Sequence, residues 1–128
     1  MSTLFQTQTS VVVKGALDGL AARHRVFLHN IANVETPGFQ PADVPFEAQL
    51  RKVRDELERD PARAGEVPQP ALTAAPEYQN AYRVDGNGVQ ADHQMMRLTE
   101  NTLTYEALVQ AARMRGELLR TVITEGRK

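Results

Sequence analysis

The sequence predicts a mainly α-helical protein in which two long terminal helices pack as a coiled-coil-like pair around a proline-rich middle segment. All seven prolines lie between Pro37 and Pro76, and proline breaks helices because it lacks a backbone donor and clashes with the preceding turn. Both flanks carry apolar residues at alternating intervals of three and four, which is typical of one helix packing along another. The 128 residues match one domain. We divide it into an N-terminal helix with a polar tail (1–36), an irregular or β middle (37–90) and a C-terminal helix (91–128).

The N-terminal flank is predicted to be a helix that ends near Asn33. Gly15 and Gly19 each lower helix stability by about 1 kcal/mol relative to Ala, so we expect its beginning to be the weaker end. Asn33 can adopt a left-handed cap, and Thr36-Pro37-Gly38-Phe39 is typical of a turn with Pro and Gly at its central positions. The apolar stripe, in which Leu17, Leu20 and Phe27 are the expected packing residues, consists of Val13, Leu17, Leu20, His24, Phe27, Ile31 and Val34.

The C-terminal flank is predicted to be a longer helix that begins after an Asp92 N-cap and ends at Gly126. At 1.5 Å per residue it is roughly 50 Å long, whereas a compact chain of this size has a radius of gyration of about 14 Å. A shorter helix cannot cover the whole stripe, so the remaining apolar surface is expected to contact other subunits. The stripe begins at Met95 and includes Thr102, and its expected packing residues are Leu98, Tyr105, Val109, Ala112, Gly116, Leu119 and Ile123.

The middle segment is predicted to hold a short helix and a small β element. Leu50, Val53 and Leu57 form a helical face that starts from the region of Phe46. A linker containing Pro61, Gly65, Pro68 and Pro70 follows. Tyr78, Tyr82 and Val84 then precede Asp85-Gly86-Asn87-Gly88, a strong turn signal that fits a β element such as a hairpin.

The composition argues against several function classes. The net charge of −1 gives no electrostatic reason to expect nucleic acid or direct lipid anchoring. There is no Cys, and His24 and His29 do not share a helix face, so we expect no metal site and no cofactor. The only serines are Ser2 and Ser10, and no nucleophile elbow, phosphate loop or dinucleotide fingerprint is present, so we expect no catalytic residues.

The segment Asn30-Ile31-Ala32-Asn33-Val34-Glu35-Thr36-Pro37-Gly38-Phe39 resembles the N-terminal signature of flagellar rod and hook proteins, which reads N-I-A-N, two variable residues, T-P-G and an aromatic. Phe39 stands where Tyr is more usual. Asp92 and Gln94 stand where glutamates are commoner. Further segments resemble the proximal rod subunit of that family: Asp43, Phe46 and Leu50, then Asp85–Val89, Met95, Glu100-Asn101, Tyr105–Leu108 and Leu118–Ile123.

The resemblance implies a non-enzymatic subunit of the proximal rod of the bacterial flagellar basal body, which polymerises through its terminal helices and transmits torque for motility. It implies export by the flagellar type III apparatus to the periplasm without a cleaved signal peptide, and Met1–Ser10 lacks the basic start of such a signal. The implied partners are other copies of the chain, rod proteins of the FlgC and FlgF types, the adaptor FliE and the export gate. Phe46 and Leu50 resemble a hydrophobic motif read by that gate, and an ordinary apolar pair one helical turn apart is the alternative.

Two alternatives remain open from the sequence. Asn30 and Asn33 are interpreted as amides that hydrogen-bond between subunits and fix their register, or as amides that cap or solvate a helix end. The proline-free stripes also fit a small soluble coiled-coil adaptor that forms a discrete oligomer instead of a rod.

Overall fold

The computed structural model describes residues 8–77 and 84–126 and has a mainly α-helical fold, as the sequence predicts. The two long helices are the first and last elements, and they pack against each other. In chain order the elements are α1 (Gln8–Ala32), β1 (Ala42–Asp43), α2 (Glu47–Arg59), a 3₁₀ helix (Pro61–Gly65), β2 (Ala75–Pro76) and α3 (Ala91–Glu125).

The helices α1 and α3 run antiparallel and differ in length. The end of α1 meets the start of α3, where Asn30 hydrogen-bonds to Gln94. At 1.5 Å per residue, the 25 residues of α1 span about 38 Å and the 35 residues of α3 about 52 Å. The last turns of α3 therefore extend beyond the described part of α1.

Two small apolar clusters hold the shorter elements against α1. The first joins the beginning of α1 to α2 and the 3₁₀ helix through Val11, Val53, Leu57, Ala64 and Val67. The second packs the loop before α2 against the middle of α1 through Leu20, Ala22, Val44 and Phe46, with Val26, Leu50 and Leu108 at its edge. Because α1 contributes to both, it is the element around which the rest of the chain is organised.

Gly15 and Gly19 have a packing role that the sequence analysis missed. A Cβ on Gly19 would overlap the ring of Phe46, and a Cβ on Gly15 would lie 2.9 Å from Leu50 Cδ1. Both glycines are buried. They let Phe46 and Leu50 approach the backbone of α1. The packing of these side chains offsets the helix stability that is lost because glycine has a low helix propensity.

The β element exists, but its partner differs from the one expected. β1 pairs with β2 in antiparallel register, Ala42 opposite Pro76 and Asp43 opposite Ala75. β2 lies in the stretch before Asp85 that was predicted to hold the β element, whereas its partner β1 was not predicted. A hairpin around Asp85 stays a prediction. Tyr78 and Tyr82 lie outside the described residues.

The predicted helix ends are partly right. α3 ends at Glu125 with Gly126 as its cap, as predicted, but it begins at Ala91 after Gln90. The prediction of Asp92 as N-cap is wrong. Its carboxylate lies in the first turn of α3, where it interacts favourably with the positive end of the helix dipole. Asn33 is not left-handed either, since Gly38 and Gly86 alone have positive φ in the described ranges.

Candidate assembly surface and signature turn

The turn after α1 has the geometry that its sequence predicts. Gly38 has a φ of +72°, and Phe39 N–H donates to the Thr36 carbonyl at 3.3 Å, which places Pro37 and Gly38 at the central positions of a type II turn. This conformation favours Gly at the third position of the turn. The signature therefore ends α1 and reverses the chain.

The signature turn is docked on the second turn motif of the chain. Asn87 is fully buried, and its Nδ2 donates to the carbonyls of Asn33, Val34 and Thr36 at 3.0, 3.0 and 2.7 Å. Its Oδ1 accepts from Val89 N–H at 2.7 Å. One amide thus hydrogen-bonds three carbonyls of the segment that follows α1.

Two backbone hydrogen bonds join the same segments. Gly38 N–H donates to the Asp85 carbonyl, and Gly88 N–H donates to the Phe39 carbonyl, both at 3.0 Å. Gly86 has a φ of +79°, a conformation that favours glycine. Two of the segments that carry the family resemblance, Asn30–Phe39 and Asp85–Val89, therefore form one contact in the fold.

Asn30 uses its whole side-chain amide within the subunit. Its Nδ2 donates to the Ala42 carbonyl at 2.8 Å and to Gln94 Oε1 at 3.0 Å, and its Oδ1 accepts from Ala42 N–H at 3.0 Å. The side chain is fully buried. These contacts join α1, β1 and α3, and hydrogen bonding of Asn30 to a second subunit stays a prediction.

Asn33 lies at the end of α1 and is partly exposed. Its Nδ2 donates to the His29 carbonyl at 2.8 Å, and its Oδ1 accepts from Thr36 Oγ1 at 3.1 Å. The His29 ring meets Phe39 edge-to-face, with 5.5 Å between centroids. Asn33 therefore serves as a side-chain cap, and hydrogen bonding to a second subunit stays a prediction for it. The remaining signature residues, Ile31 and Ala32, complete the last turn of α1.

A chain of five charged residues links α1, β1, α2, the segment after β2 and α3. Arg23 pairs with Asp43 at 2.9 Å and with Glu47 at 2.6 Å, and Arg97 pairs with Asp43 at 2.5 Å and with Glu77 at 2.6 Å. Sequence reasoning did not identify this network, because its members are far apart in the chain and belong to no local pattern.

Each arginine of the network also covers an aromatic ring. The Arg23 guanidinium lies 4.6 Å from the ring centroid of Phe46, and that of Arg97 lies 4.6 Å from Phe27. Such contacts favour a guanidinium over an ammonium group. Burial disfavours charge on Arg23 and Glu47, yet their mutual hydrogen bond and the nearby charges outweigh it, raising the pKa of Arg23 and lowering the pKa of Glu47.

Phe46 and Leu50, the candidates for an export-gate motif, lie side by side against α1. Phe46 is 4% exposed, and Leu50 is half-buried at the edge of the same cluster. Phe46 directly precedes α2, and its carbonyl accepts from Leu50 N–H at 2.9 Å. In the folded chain this pair is a packing element, so its side chains become available to a partner when α2 leaves α1.

The second half of α3 leaves its apolar side chains uncovered. Of the predicted packing residues, Leu20 and Phe27 are buried and Leu17, Leu98, Val109 and Ala112 are half-buried, whereas Tyr105, Gly116, Leu119 and Ile123 are exposed. The apolar residues of the last three turns are 53–68% exposed: Met114 (55%), Leu118, Leu119, Val122 and Ile123. At roughly 100° per residue they cover about half of the helix circumference.

The described ranges hold no group of three or more His, Cys, Asp or Glu side chains suited to a metal ion. In the same ranges, no helix combines the length and the hydrophobicity that crossing a membrane requires.

Known proteins support the resemblance in the sequence. No protein-family model matches the chain. The chain is 33% identical over 110 residues to the flagellar basal body rod protein FlgB of Escherichia coli, covering 75% of the chain and 78% of that protein. It is 33% identical over 103 residues to FlgB of Yersinia enterocolitica, covering 71% and 75%, and 27% identical over 119 residues to FlgB of Bacillus subtilis, covering 90% and 92%.

The identity of one third to these relatives, over more than two thirds of a chain built on two long antiparallel helices, places it in the class of flagellar basal body rod proteins. Within that class, the chain belongs to the flagellar basal body rod protein FlgB family.

Proposed function

We propose that this protein is a structural, non-enzymatic subunit of the proximal rod of the flagellar basal body, which polymerises through its long helices and transmits torque. The observation that carries the proposal is the uncovered second half of α3. Leu118 and Val122 are each 68% exposed, and burying such side chains stabilises by about 1.5–3 kcal/mol each. A contiguous exposed apolar face of this kind is typical of an interaction site.

The contacts inside the subunit are compatible with a structural role in which the subunit transmits torque. The Asn87 amide closes the signature turn, and the Arg23–Asp43–Arg97 chain ties α1, β1 and α3 together. Buried polar contacts of this kind fix one arrangement of elements. We infer that they hold the subunit's shape while neighbouring subunits cover the second half of α3.

Export by the flagellar type III apparatus into the periplasm, without a cleaved signal peptide, is part of the same proposal. Phe46 and Leu50 contact Gly19 and Gly15 in the fold. A gate that reads these two side chains must meet them in a chain that is not yet folded. Folding against α1 then removes Phe46 from solvent, which separates export from assembly in time.

The proposed partners are other copies of the chain, rod proteins of the FlgC and FlgF types, the adaptor FliE and the export gate. The adaptor alternative, a discrete coiled-coil oligomer, has weaker support. A discrete oligomer would also cover exposed apolar residues of α3 such as Met95, Leu103 and Leu118, so the preference for a rod subunit rests on the similarity to FlgB proteins.

The direct test is to delete the gene in the bacterium that carries it and to identify the protein in purified hook–basal bodies. We expect the deletion to abolish rods and swimming, and the re-expressed wild-type chain to restore both and to be recovered with the basal body. Deletion cells that swim and contain complete rods would overturn the proposal. Recovery of the chain only as a discrete oligomer, in cells with complete rods that lack it, would favour the adaptor.

A further inference from the structure

A groove lies beside the contact of α1 with α3, and the start of α2 forms its third wall. Its volume is about 780 Å³, and Ala16, Leu20, Phe46, Ala107, Leu108 and Ala111 supply most of its apolar lining. Along α1 the groove extends from Ala16 to Phe27, a distance of roughly 16 Å. The small alanines on α3 leave room for a further helix to approach.

Asn101 on the floor of the groove has an unused acceptor. The residue is 6% exposed, and its Nδ2 donates to the Leu20 carbonyl at 2.9 Å. Its Oδ1 is buried and has no hydrogen-bond partner within the described part of the chain. Asn101 lines this groove and also a second pocket formed with His24 and Tyr105. A buried oxygen without a donor costs roughly 1–3 kcal/mol, so a partner helix that supplied a donor to Asn101 Oδ1 would gain stability from it.

The second half of α3 fits the groove in length and in character. Met114–Ile123 spans about 14 Å and carries five exposed apolar side chains. The groove and this segment belong to the same chain but to different parts of its surface. A contact between them in two copies is heterologous, and such contacts generate open filaments when the rotation does not close.

The charges are compatible with this contact. The charged residues that line the groove are Arg23, Arg97, Glu47 and Glu100, which sum to zero. The segment Met114–Ile123 carries Arg115, Arg120 and Glu117 and is net positive by one. The contact therefore sets no net charge against a charge of the same sign.

We propose that the groove lined by Ala107 and Ala111 binds the distal turns of α3 from a second copy of this chain, with a donor of that helix hydrogen-bonding to Asn101 Oδ1. The inference rests on the proposed function, since it specifies the contact through which the subunits polymerise. In copies that point the same way along a rod, Ala107 lies opposite Leu118 and Ala111 opposite Val122, an offset of 11 residues or about 16 Å.

Disulfide cross-linking tests this contact, because the chain has no cysteine of its own. The variant A107C/L118C is expressed in the deletion strain, and hook–basal bodies are oxidised and examined by non-reducing electrophoresis. The two positions are about 16 Å apart on one helix, so they cannot form a bond within one chain, which needs Cα atoms closer than about 7 Å. We expect a ladder of linked copies, and no ladder from either single variant.

The matched control is Q110C/L118C, because Gln110 is exposed on the same helix but does not line the groove; it should give no ladder. A111C/V122C is a second pair at the same offset, should the first disturb folding. Assembled rods in which neither pair forms a ladder, or in which the cysteines link only to a different protein, would overturn the groove contact. Absence of the chain from complete rods would instead overturn the proposed function.

Asn101 provides a second readout of the same contact. Asn101→Leu removes the acceptor, and we expect incorporation into rods to need roughly five times more subunit, which corresponds to loss of one ordinary hydrogen bond. The free energy of unfolding of the isolated variant is measured in parallel and compared with that of the wild type. A variant that incorporates as readily as the wild type would argue against a donor at this position.

A different observation carries a second inference, about Asn87. Asn87 is followed by Gly88, whereas Asn30, Asn33, Asn80 and Asn101 are followed by residues with side chains. An asparagine before glycine is the sequence most prone to deamidation, because the unhindered glycine nitrogen attacks the amide carbon. That step forms a C–N bond and a succinimide, releases ammonia, and water then opens the ring to aspartate or isoaspartate.

The fold restrains both reacting groups. Gly88 N–H donates to the Phe39 carbonyl at 3.0 Å, and the Asn87 amide is held by Asn33, Thr36 and Val89. Neither group can reach the other without release of the signature turn. We infer that Asn87 is a deamidation site that becomes reactive only in the unfolded chain. Its conversion to aspartate or isoaspartate then prevents the signature turn from docking on Asp85–Val89.

Mass spectrometry of proteolytic peptides tests this inference. The chain is held at mildly alkaline pH with and without urea, and deamidation at Asn87 is measured against Asn30 and Asn101 in the same digest. We expect conversion of Asn87 at least ten times faster in urea than in buffer, with little change at the other two. Equal rates for Asn87 in both conditions would overturn the inference, and so would an unfolded chain in which Asn87 converts no faster than Asn101.

Discussion

Asn30 on α1 donates a hydrogen bond of 3.0 Å to Gln94 on α3, although 64 residues separate them in the chain. Both side chains are buried, at 0% and 1% exposure. The same Asn30 amide is bonded twice to Ala42. This pair therefore fixes the register of the two long helices at the end where the signature begins.

Replacing Asn30 with Leu should destabilise the protein strongly. The substitution leaves the Ala42 N–H, the Ala42 carbonyl and Gln94 Oε1 without their partner, and each unpaired buried group costs about 1–3 kcal/mol before relaxation. We expect a loss of roughly 3 kcal/mol in the free energy of unfolding, measured by urea denaturation with circular dichroism. Asn33→Ala, at a partly exposed position just after α1, is the control and should cost about 1 kcal/mol through loss of its hydrogen bonds to His29 and Thr36. Equal effects of the two substitutions would contradict this role.

Substitution by alanine should change the stability of the protein in opposite directions at Gly19 and at Gly116. Gly19→Ala places a methyl group into the ring of Phe46, whereas Gly116→Ala meets nothing within 4 Å. We expect Gly116→Ala to stabilise by about 0.5–1 kcal/mol through helix propensity. Gly19→Ala should destabilise by about 1–3 kcal/mol through overpacking. Thermal unfolding of both variants checks this, and stabilisation by Gly19→Ala would contradict the close packing of Phe46.

Replacing Asn87 with Asp should loosen the signature turn. The carboxylate keeps an acceptor for Val89 N–H but faces three carbonyl oxygens that the amide now satisfies. We expect a loss of roughly 2–4 kcal/mol in the free energy of unfolding. Hydrogen exchange should become faster in the last turn of α1. The control is Asn33→Asp, whose oxygen still accepts from Thr36 Oγ1. Unchanged exchange in Asn87→Asp would be evidence against docking through this amide.

The Arg23–Glu47 pair should contribute stability that is lost in acid. Because the pKa of Glu47 is lowered in the fold, its contribution is complete above the unfolded value of about 4.3 and disappears as the pH falls through the folded value. The side chain is 52% exposed, so we expect less than about 1 kcal/mol. Glu47→Gln should flatten the stability profile between about pH 3 and 5 relative to Glu58→Gln, an exposed control on the same helix. Identical profiles would exclude this contribution.

The sequence predicted the elements with a repeating pattern. The stripes of α1 and α3, the short face of α2 and the Thr36–Phe39 turn each follow from residues close together in the chain, where local sterics decide the conformation. The excess length of α3 also followed from its stripe, since length alone shows that a shorter partner cannot cover it.

The contacts between distant segments could not be predicted in the same way. Asn87 is separated from Thr36 by 51 residues and Arg97 from Asp43 by 54, so no local pattern relates them. Gly15 and Gly19 were interpreted by propensity, whereas tertiary packing of Phe46 and Leu50 decides their role. The strand β1 was not predicted, because a two-residue strand carries almost no sequence signal.

The central claim is that the distal face of α3 joins subunits in the rod, and the variant Leu119→Asp/Ile123→Asp tests it most directly. Both side chains are more than half exposed, so the free energy of unfolding of the isolated variant should lie within about 0.5 kcal/mol of the wild-type value. Thr99→Asp/Gln110→Asp, on exposed positions of the same helix that neither line the groove nor belong to its distal turns, is the matched control. We predict that the control is recovered in hook–basal bodies and restores swimming, whereas the apolar-face variant does neither. Recovery of the apolar-face variant at the wild-type level would contradict the account.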